Sequence, residues 1–146
     1  MVKTQPDGYR TVIPSLVVNG AAGLIAFLES VFGAKQRMLL PMPDGRVGHA
    51  ELELGDSMVM VSDPTMDATA MQNSLYLFVD NVDDRYRRAV TAGARSLMEP
   101  ADQFYGDRVA AIIDGWGNRY TLATHIEDVP EDETLRRMQA LMTGAV

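Results

Sequence analysis

The feature that most limits how this chain can fold is that it repeats itself at an offset of about sixty residues. Gly33-Ala34 is answered by Gly93-Ala94, and Gly45-Arg46-Val47 by Gly106-Asp107-Arg108-Val109; Gly55 is answered by Gly115. Self-similarity at a fixed spacing points to duplication of one supersecondary unit. Any fold proposed for the first half must therefore also suit the second.

Hydrophobic patterning gives the unit. Residues 12–18 are apolar and β-branched and read as a strand that Asn19-Gly20 ends. Ala21, Leu24, Ile25, Leu28 and Phe32 share one helical face, and Gly33 is placed as the C-terminal cap. Strands are expected over 35–40, 46–54 and 57–62, with turns at residues 41–45 and at Gly55-Asp56. After a linker at 63–73 the order recurs: strand 74–79, helix 82–92 closed by Gly93, short strand 95–98, loop 99–106, and strands 108–113 and 119–124. Residues 130–142 form a third helix, with Pro130 in its first turn and Glu131, Asp132 and Glu133 at the positive end of its dipole. The expected class is α+β. One domain spans 1–146, with βαβββ modules at about 9–63 and 73–125 and a C-terminal helix at 130–142.

Composition removes several function classes. A net charge of −7 without clustered Lys and Arg argues against nucleic acid as a partner. No segment reaches the roughly 20 apolar residues of a membrane span, so no membrane partner is expected. The chain has no cysteine, which excludes disulfides and thiolate metal sites and fits a reducing cytoplasm.

Alternation along the strands separates two faces. Ala50 and Leu52, Val59 and Val61, Leu75 and Leu77, and Tyr120 and Leu122 are expected under helices. The opposite face carries His49, Glu51, Glu53, Ile13, Ser15, Val17, Met58, Met60, Ser74, Tyr76, Phe78, Thr121 and Ala123. That face is too apolar for open water. A sheet curved into a cup, with helices on its convex side, would make it a mainly apolar pocket with a few polar groups. Packing of the face in a dimer is the other reading, and the two can coexist.

At this point the chain resembles a known family. The carriers are Ser15-Leu16-Val17-Val18 before the first helix and Phe32-Gly33-Ala34 after it; Gly48-His49-Ala50-Glu51-Leu52; the run from Gln103 to Arg108; and Asp114-Gly115-Trp116-Gly117-Asn118-Arg119-Tyr120-Thr121-Leu122, followed by residues 124–128. In this order they resemble the glyoxalase/bleomycin-resistance/dioxygenase group of the vicinal oxygen chelate superfamily, its PhnB-like branch in particular, over about residues 9–129. The resemblance implies paired βαβββ modules in an incomplete barrel around a cup, often completed in a homodimer. It covers metal-dependent isomerases, lyases, dioxygenases and thiol transferases, together with metal-free drug-sequestering proteins, so fold alone does not choose among them.

The metal-dependent relatives place one His, Gln or Glu on each of four strands. Carried over by position, these places hold Ile13, Met60 (or Val61), Ser74 and Thr121, none of them a strong ligand. No cofactor is therefore expected; a divalent metal would need a displaced site. His49 and Glu51, two apart on a strand, project together and suit acid–base work or contact with a ligand's polar groups. His125 reads as capping or packing at the start of the tail, and Trp116 and Tyr105 lie on turns where they either cover the cup or pack. The functional expectation is a homodimer holding an apolar or aromatic small molecule, an antibiotic being one version. The ligand would touch Ile13, His49, Glu51, Met58, Met60, Ser74, Tyr76, Phe78, Tyr105, Trp116 and Thr121. The alternative is a lyase, isomerase or dioxygenase with an atypical metal site or His49/Glu51 chemistry.

Overall fold

The computed structural model describes residues 1–144. Its elements run β1 (Ser15–Val17), α1 (Ala21–Phe32), β2 (Lys35–Pro41), β3 (Val47–Leu54), β4 (Ser57–Ser62), β5 (Ser74–Phe78), α2 (Val82–Thr91), β6 (Arg95–Asp102), β7 (Asp107–Ile113), β8 (Arg119–His125) and α3 (Glu131–Thr143). The duplicated βαβββ order is thus present, in an α+β chain with a C-terminal helix. Two four-stranded sheets form, ordered β1-β4-β3-β2 and β5-β8-β7-β6, and neither closes into a barrel. In each the first strand pairs parallel to the fourth and the rest are antiparallel. Two compact units result: Met1–Asn73 with Trp116–Asn118, and Ser74–Gly115 with the chain from Arg119 onward.

In the first unit α1 packs on β3 and β4. Leu24, Leu28 and Val31 on the helix and Ala50, Leu52, Val59 and Val61 on the strands are all buried. The left-handed Gly33 caps the C-terminus, its N–H bonding to the Glu29 carbonyl. The N-terminus is capped from a distance. Asp63, just past β4, accepts from the N–H groups of Gly20 and Ala21 through one oxygen and from Val47 N–H through the other. One carboxylate therefore joins the start of the helix, the end of β4 and the start of β3. The β7–β8 turn also belongs to this unit. Trp116 leans on α1, its ring centroid 6.3 Å from that of Phe27.

A Cβ on Gly23 would stand 2.7 Å from Trp116 Cζ2. Gly-to-Ala in a helix normally stabilises by about 1 kcal/mol. Here the overlap should reverse the sign, giving Gly23→Ala a net loss of about 1 kcal/mol in urea unfolding followed by circular dichroism. Adding Trp116→Phe, which removes the clashing ring, should recover part of it.

In the second unit α2 packs on β6, β7 and β8. It buries only Val82 and Ala89, and polar ties add to the packing, among them the Tyr86 hydroxyl bonded to Ser96 on β6. Arg108, on the helix-facing side of β7, bonds both carboxylate oxygens of Asp83 and also reaches Asp102. Asn81 caps α2 by accepting from Asp84 N–H. Helix α3 buries no residue of its own; Arg137 ties it to Glu127 and to the Phe104 carbonyl.

Several boundaries differ from expectation. β1 begins at Ser15 instead of residue 12, because Pro14 has no N–H to donate to a ladder; its carbonyl still accepts from Met60 N–H. β6 runs on to Asp102 through Pro100, where a short strand and a loop were expected. It is an edge strand with irregular pairing between Ser96 and Ala101, and a proline is tolerated there. β2, the edge strand of the first sheet, shows matching shifts around Arg37 and before Pro41. Among the described residues, no helix is long and apolar enough to cross a membrane.

Candidate functional site

The polar face of the first sheet lies on the side away from α1. Cross-strand register places Met60 opposite both Ser15 and Glu51, Met38 opposite Glu51, and Leu40 opposite His49. Partners in register point to one side, so these side chains share a face. His49 Nε2 lies 3.0 Å from Glu51 Oε1, as the two-residue spacing anticipated.

The other Glu51 oxygen accepts a hydrogen bond from the Tyr9 hydroxyl, a partner that sequence reasoning did not find. The Tyr9 hydroxyl, then His49, holds the Glu51 carboxyl below its ordinary range against the opposing effect of burial. The same bond pushes the Tyr9 phenol up. Glu51 is nearly enclosed, its side chain 10% exposed, while that of His49 is 36% exposed. Solvent therefore meets the relay at the imidazole. The segment bearing Tyr9 also explains Met58. It sits on the expected face yet is only 8% exposed, and it lines a hollow of about 280 Å³ with Asp7, Gly8, Tyr9, Arg37 and Glu53.

The second unit carries a different set. Tyr76 and Phe78 stand on the β5 face away from α2, tilted rings 5.5 Å apart, 50% and 69% exposed. The Tyr76 hydroxyl donates to Asp107 at 3.5 Å. Burial of that hydroxyl, with Tyr105 and Asp107 beside it, pushes the phenol up to about 12. Asp107 in turn bonds His125 Nδ1 at 2.7 Å, and His125 Nε2 bonds Asp128 at 2.9 Å. The two carboxylates, Asp128 foremost, hold His125 above the usual imidazole range. His125 is thus a bridge between β7 and the tail. Beside it Tyr105, Asp128, Val129 and Pro130 line a shallow hollow of about 310 Å³.

The remaining expected residues fall as follows. Ile13 is half-buried before β1 begins; the residue opposite Met60 is Ser15. Met60 itself is half-buried on the polar face, whereas Val61 is buried on the side of α1. Ser74 is exposed opposite Arg119, and Thr121 sits beside Tyr76. Tyr105 packs edge-on to Phe104. Trp116, for which covering the cup and packing were both open, leans on α1, where Gly23 leaves room for its ring.

The positions to which the resemblance carries the metal ligands, Ile13, Met60 (or Val61), Ser74 and Thr121, offer only a thioether and two hydroxyls as donors. Such donors do not suit a hard divalent ion. Among the described residues, no group of three or more His, Cys, Asp or Glu is placed to hold a metal.

Known proteins bear on the family. An uncharacterised protein of Mycobacterium bovis is 31% identical over 142 residues, covering 90% of this chain and 93% of that one. An uncharacterised protein of Mycobacterium tuberculosis matches at the same identity, with 84% of it covered. The fold is similar to that of TioX from Micromonospora sp. ML1, with a TM-score of 0.68 at 22% identity over 80% of this chain and 99% of that one. It is also similar to a glyoxalase/bleomycin resistance protein/dioxygenase family enzyme from Burkholderia phytofirmans PsJN, with a TM-score of 0.60 at 19% identity over 77% of this chain and 95% of that one. The model of one family matches residues 10–122, and with it the chain belongs to the Glyoxalase/Bleomycin resistance protein/Dioxygenase superfamily.

Proposed function

We propose that the chain is a small-molecule binding protein whose sheet faces turned away from the helices, each by itself and that of β5–β8 foremost, take apolar or aromatic ligands, as a homodimer and without a metal cofactor. The observation that carries this reading is the exposure of Tyr76 and Phe78 as a tilted aromatic pair on a face that also holds a bound, enclosed carboxylate, Asp107. Two large aromatic rings left half or more in water are poor structural residues and good walls for a flat ligand. Burial would supply most of the affinity, at roughly 25 cal/mol per Å² of apolar surface before ordering costs. The weak donor set at Ile13, Met60 (or Val61), Ser74 and Thr121, where the resemblance places the metal ligands, favours this reading over metal-dependent catalysis.

Ligand that binds only the folded state raises its melting temperature. A thermal-shift screen with bicyclic aromatic compounds and aromatic antibiotics is expected to show stabilisation. Tyr76→Ala should weaken the best binder about tenfold, close to 1.4 kcal/mol. A screen without any shift, or a Tyr76→Ala protein that binds as tightly as the parent, would count against it. Native mass spectrometry of the same samples reads the dimer.

One observation favours a second reading. The Tyr9–Glu51–His49 relay presents an imidazole oriented by an ionised carboxylate, the arrangement of a general base. A turnover abolished by His49→Ala with the fold intact would select that reading.

A further inference from the structure

We infer that the Tyr9–Glu51–His49 relay reads a hydrogen-bond donor on a ligand held at the face of the first sheet, so that the molecule preferred there is a flat apolar one bearing a phenol, enol or ring N–H that donates to His49 Nδ1, with Tyr9 as the positioning residue. This rests on the binding reading above and adds to it the chemical class of the ligand.

The inference follows from the order of the bonds. A carboxylate can only accept, and Glu51 accepts twice, from Tyr9 and from His49. The bond to Glu51 is made by His49 Nε2, so a ring that carries a single proton keeps it on that nitrogen. Nδ1 then carries the lone pair. Among the described residues Nδ1 has no hydrogen-bond partner, and the imidazole is the exposed end of the relay. An acceptor held in one orientation beside apolar side chains selects for donors. Here Leu40 stands directly across from His49, with Met38 and Met60 on either side of Glu51. Tyr9 touches no part of the ligand in this scheme. Its hydroxyl fixes the rotamer of Glu51, and Glu51 fixes the imidazole. The tie spans 42 residues of sequence, so the N-terminal segment closes the relay on the sheet.

The test uses a matched pair of probes, 2-naphthol and 2-methoxynaphthalene, titrated calorimetrically into the full chain at neutral pH. They share an apolar body and differ in the donor. The parent is expected to bind 2-naphthol about tenfold more tightly, the worth of one hydrogen bond. In His49→Leu that preference should fall to within about twofold, and in Tyr9→Phe to an intermediate value. Melting midpoints establish that both variants are folded. Nitrogen NMR of the histidines supplies a readout that packing alone would not move: the parent His49 should show the Nε2–H tautomer, and Tyr9→Phe a mixture. Equal binding of the two probes by the parent would overturn this inference while leaving the apolar site standing. A preference that survives His49→Leu, or a parent His49 in the Nδ1–H form, would overturn it as well. If neither probe binds, both this inference and the reading beneath it fall.

Discussion

Gly106→Ala is expected to destabilise the protein by about 3 kcal/mol or more, seen as a fall of roughly 10 °C in the melting midpoint. Two costs combine at this position. Gly106 has φ +98°, a conformation that residues with a Cβ rarely adopt. A Cβ there would also stand 2.1 Å from the Glu127 carbonyl oxygen, and backbone cannot step aside as a flexible side chain would. The strand cannot move off either, because the Gly106 carbonyl accepts from the N–H groups of both Ile126 and Glu127. Gly45→Ala is the control. Gly45 has φ +87° with nothing within 4 Å of its added Cβ, so it should cost only about 1 kcal/mol of conformational strain. If the two variants melt together, the close approach of Glu127 to the β6–β7 turn is wrong. Because Asp107 follows Gly106, the Gly106 variant should also loosen the tie from Asp107 to His125 and Tyr76.

Asp63→Ala should cost about 3 kcal/mol, since it removes the acceptor of three backbone N–H groups, two of them buried, at the starts of α1 and β3. Asp63→Asn should recover only part of this. Its amide oxygen can still take Gly20 and Ala21, but its NH₂ group then faces the Val47 N–H, donor against donor. Acid should act through the same group. Burial works to raise the Asp63 carboxyl, but the bonds from Val47, Gly20 and Ala21, with Arg46 nearby, prevail and hold it below its ordinary value. A carboxyl lowered in the folded state stabilises that state above its unfolded value of about 3.9, and the stabilisation disappears as pH falls through the lower folded value. Urea unfolding from pH 6 downward should therefore show a loss below about pH 4 in the parent that is smaller in Asp63→Asn. Equal acid sensitivity in the two proteins would place the titrating group elsewhere.

Most of the fold could be read from the chain because two periodicities carried it. Alternation assigned Val59 and Val61, and Tyr120 and Leu122, to the sides facing the helices, where they are buried. The duplication supplied the order of the second unit. What the pattern could not show was irregular backbone. The shift at Arg37 breaks alternation in β2, so Met38 and Leu40 were not assigned to the polar face. Val12 and Ile13 have strand-like side chains, yet Pro14 keeps them out of β1.

The site was legible where it is local. His49 and Glu51 meet because a strand places residues two apart on one side. Tyr9 was missed because its bond to Glu51 crosses 42 residues, and nothing in a polar N-terminal segment announces it beyond the presence of one aromatic ring. Trp116 was left between covering the cup and packing because its partner, a glycine on α1, is silent in a hydropathy pattern. A glycine inside an otherwise apolar helix was the available sign that a ring comes close.

The irregular outer strands carry a consequence for how this protein behaves at high concentration. Growth of a fibril requires an uninterrupted row of unpaired amide donors and carbonyls onto which the next chain can zip. On β6 that row lacks the donor of Pro100 and falls out of phase between Ser96 and Ala101, and on β2 it slips around Arg37 and again before Pro41. The apolar run Met38-Leu39-Leu40 is exposed, but it sits between those two interruptions. Cross-β polymerisation along these rims is thereby disfavoured without a charged residue inside the run itself.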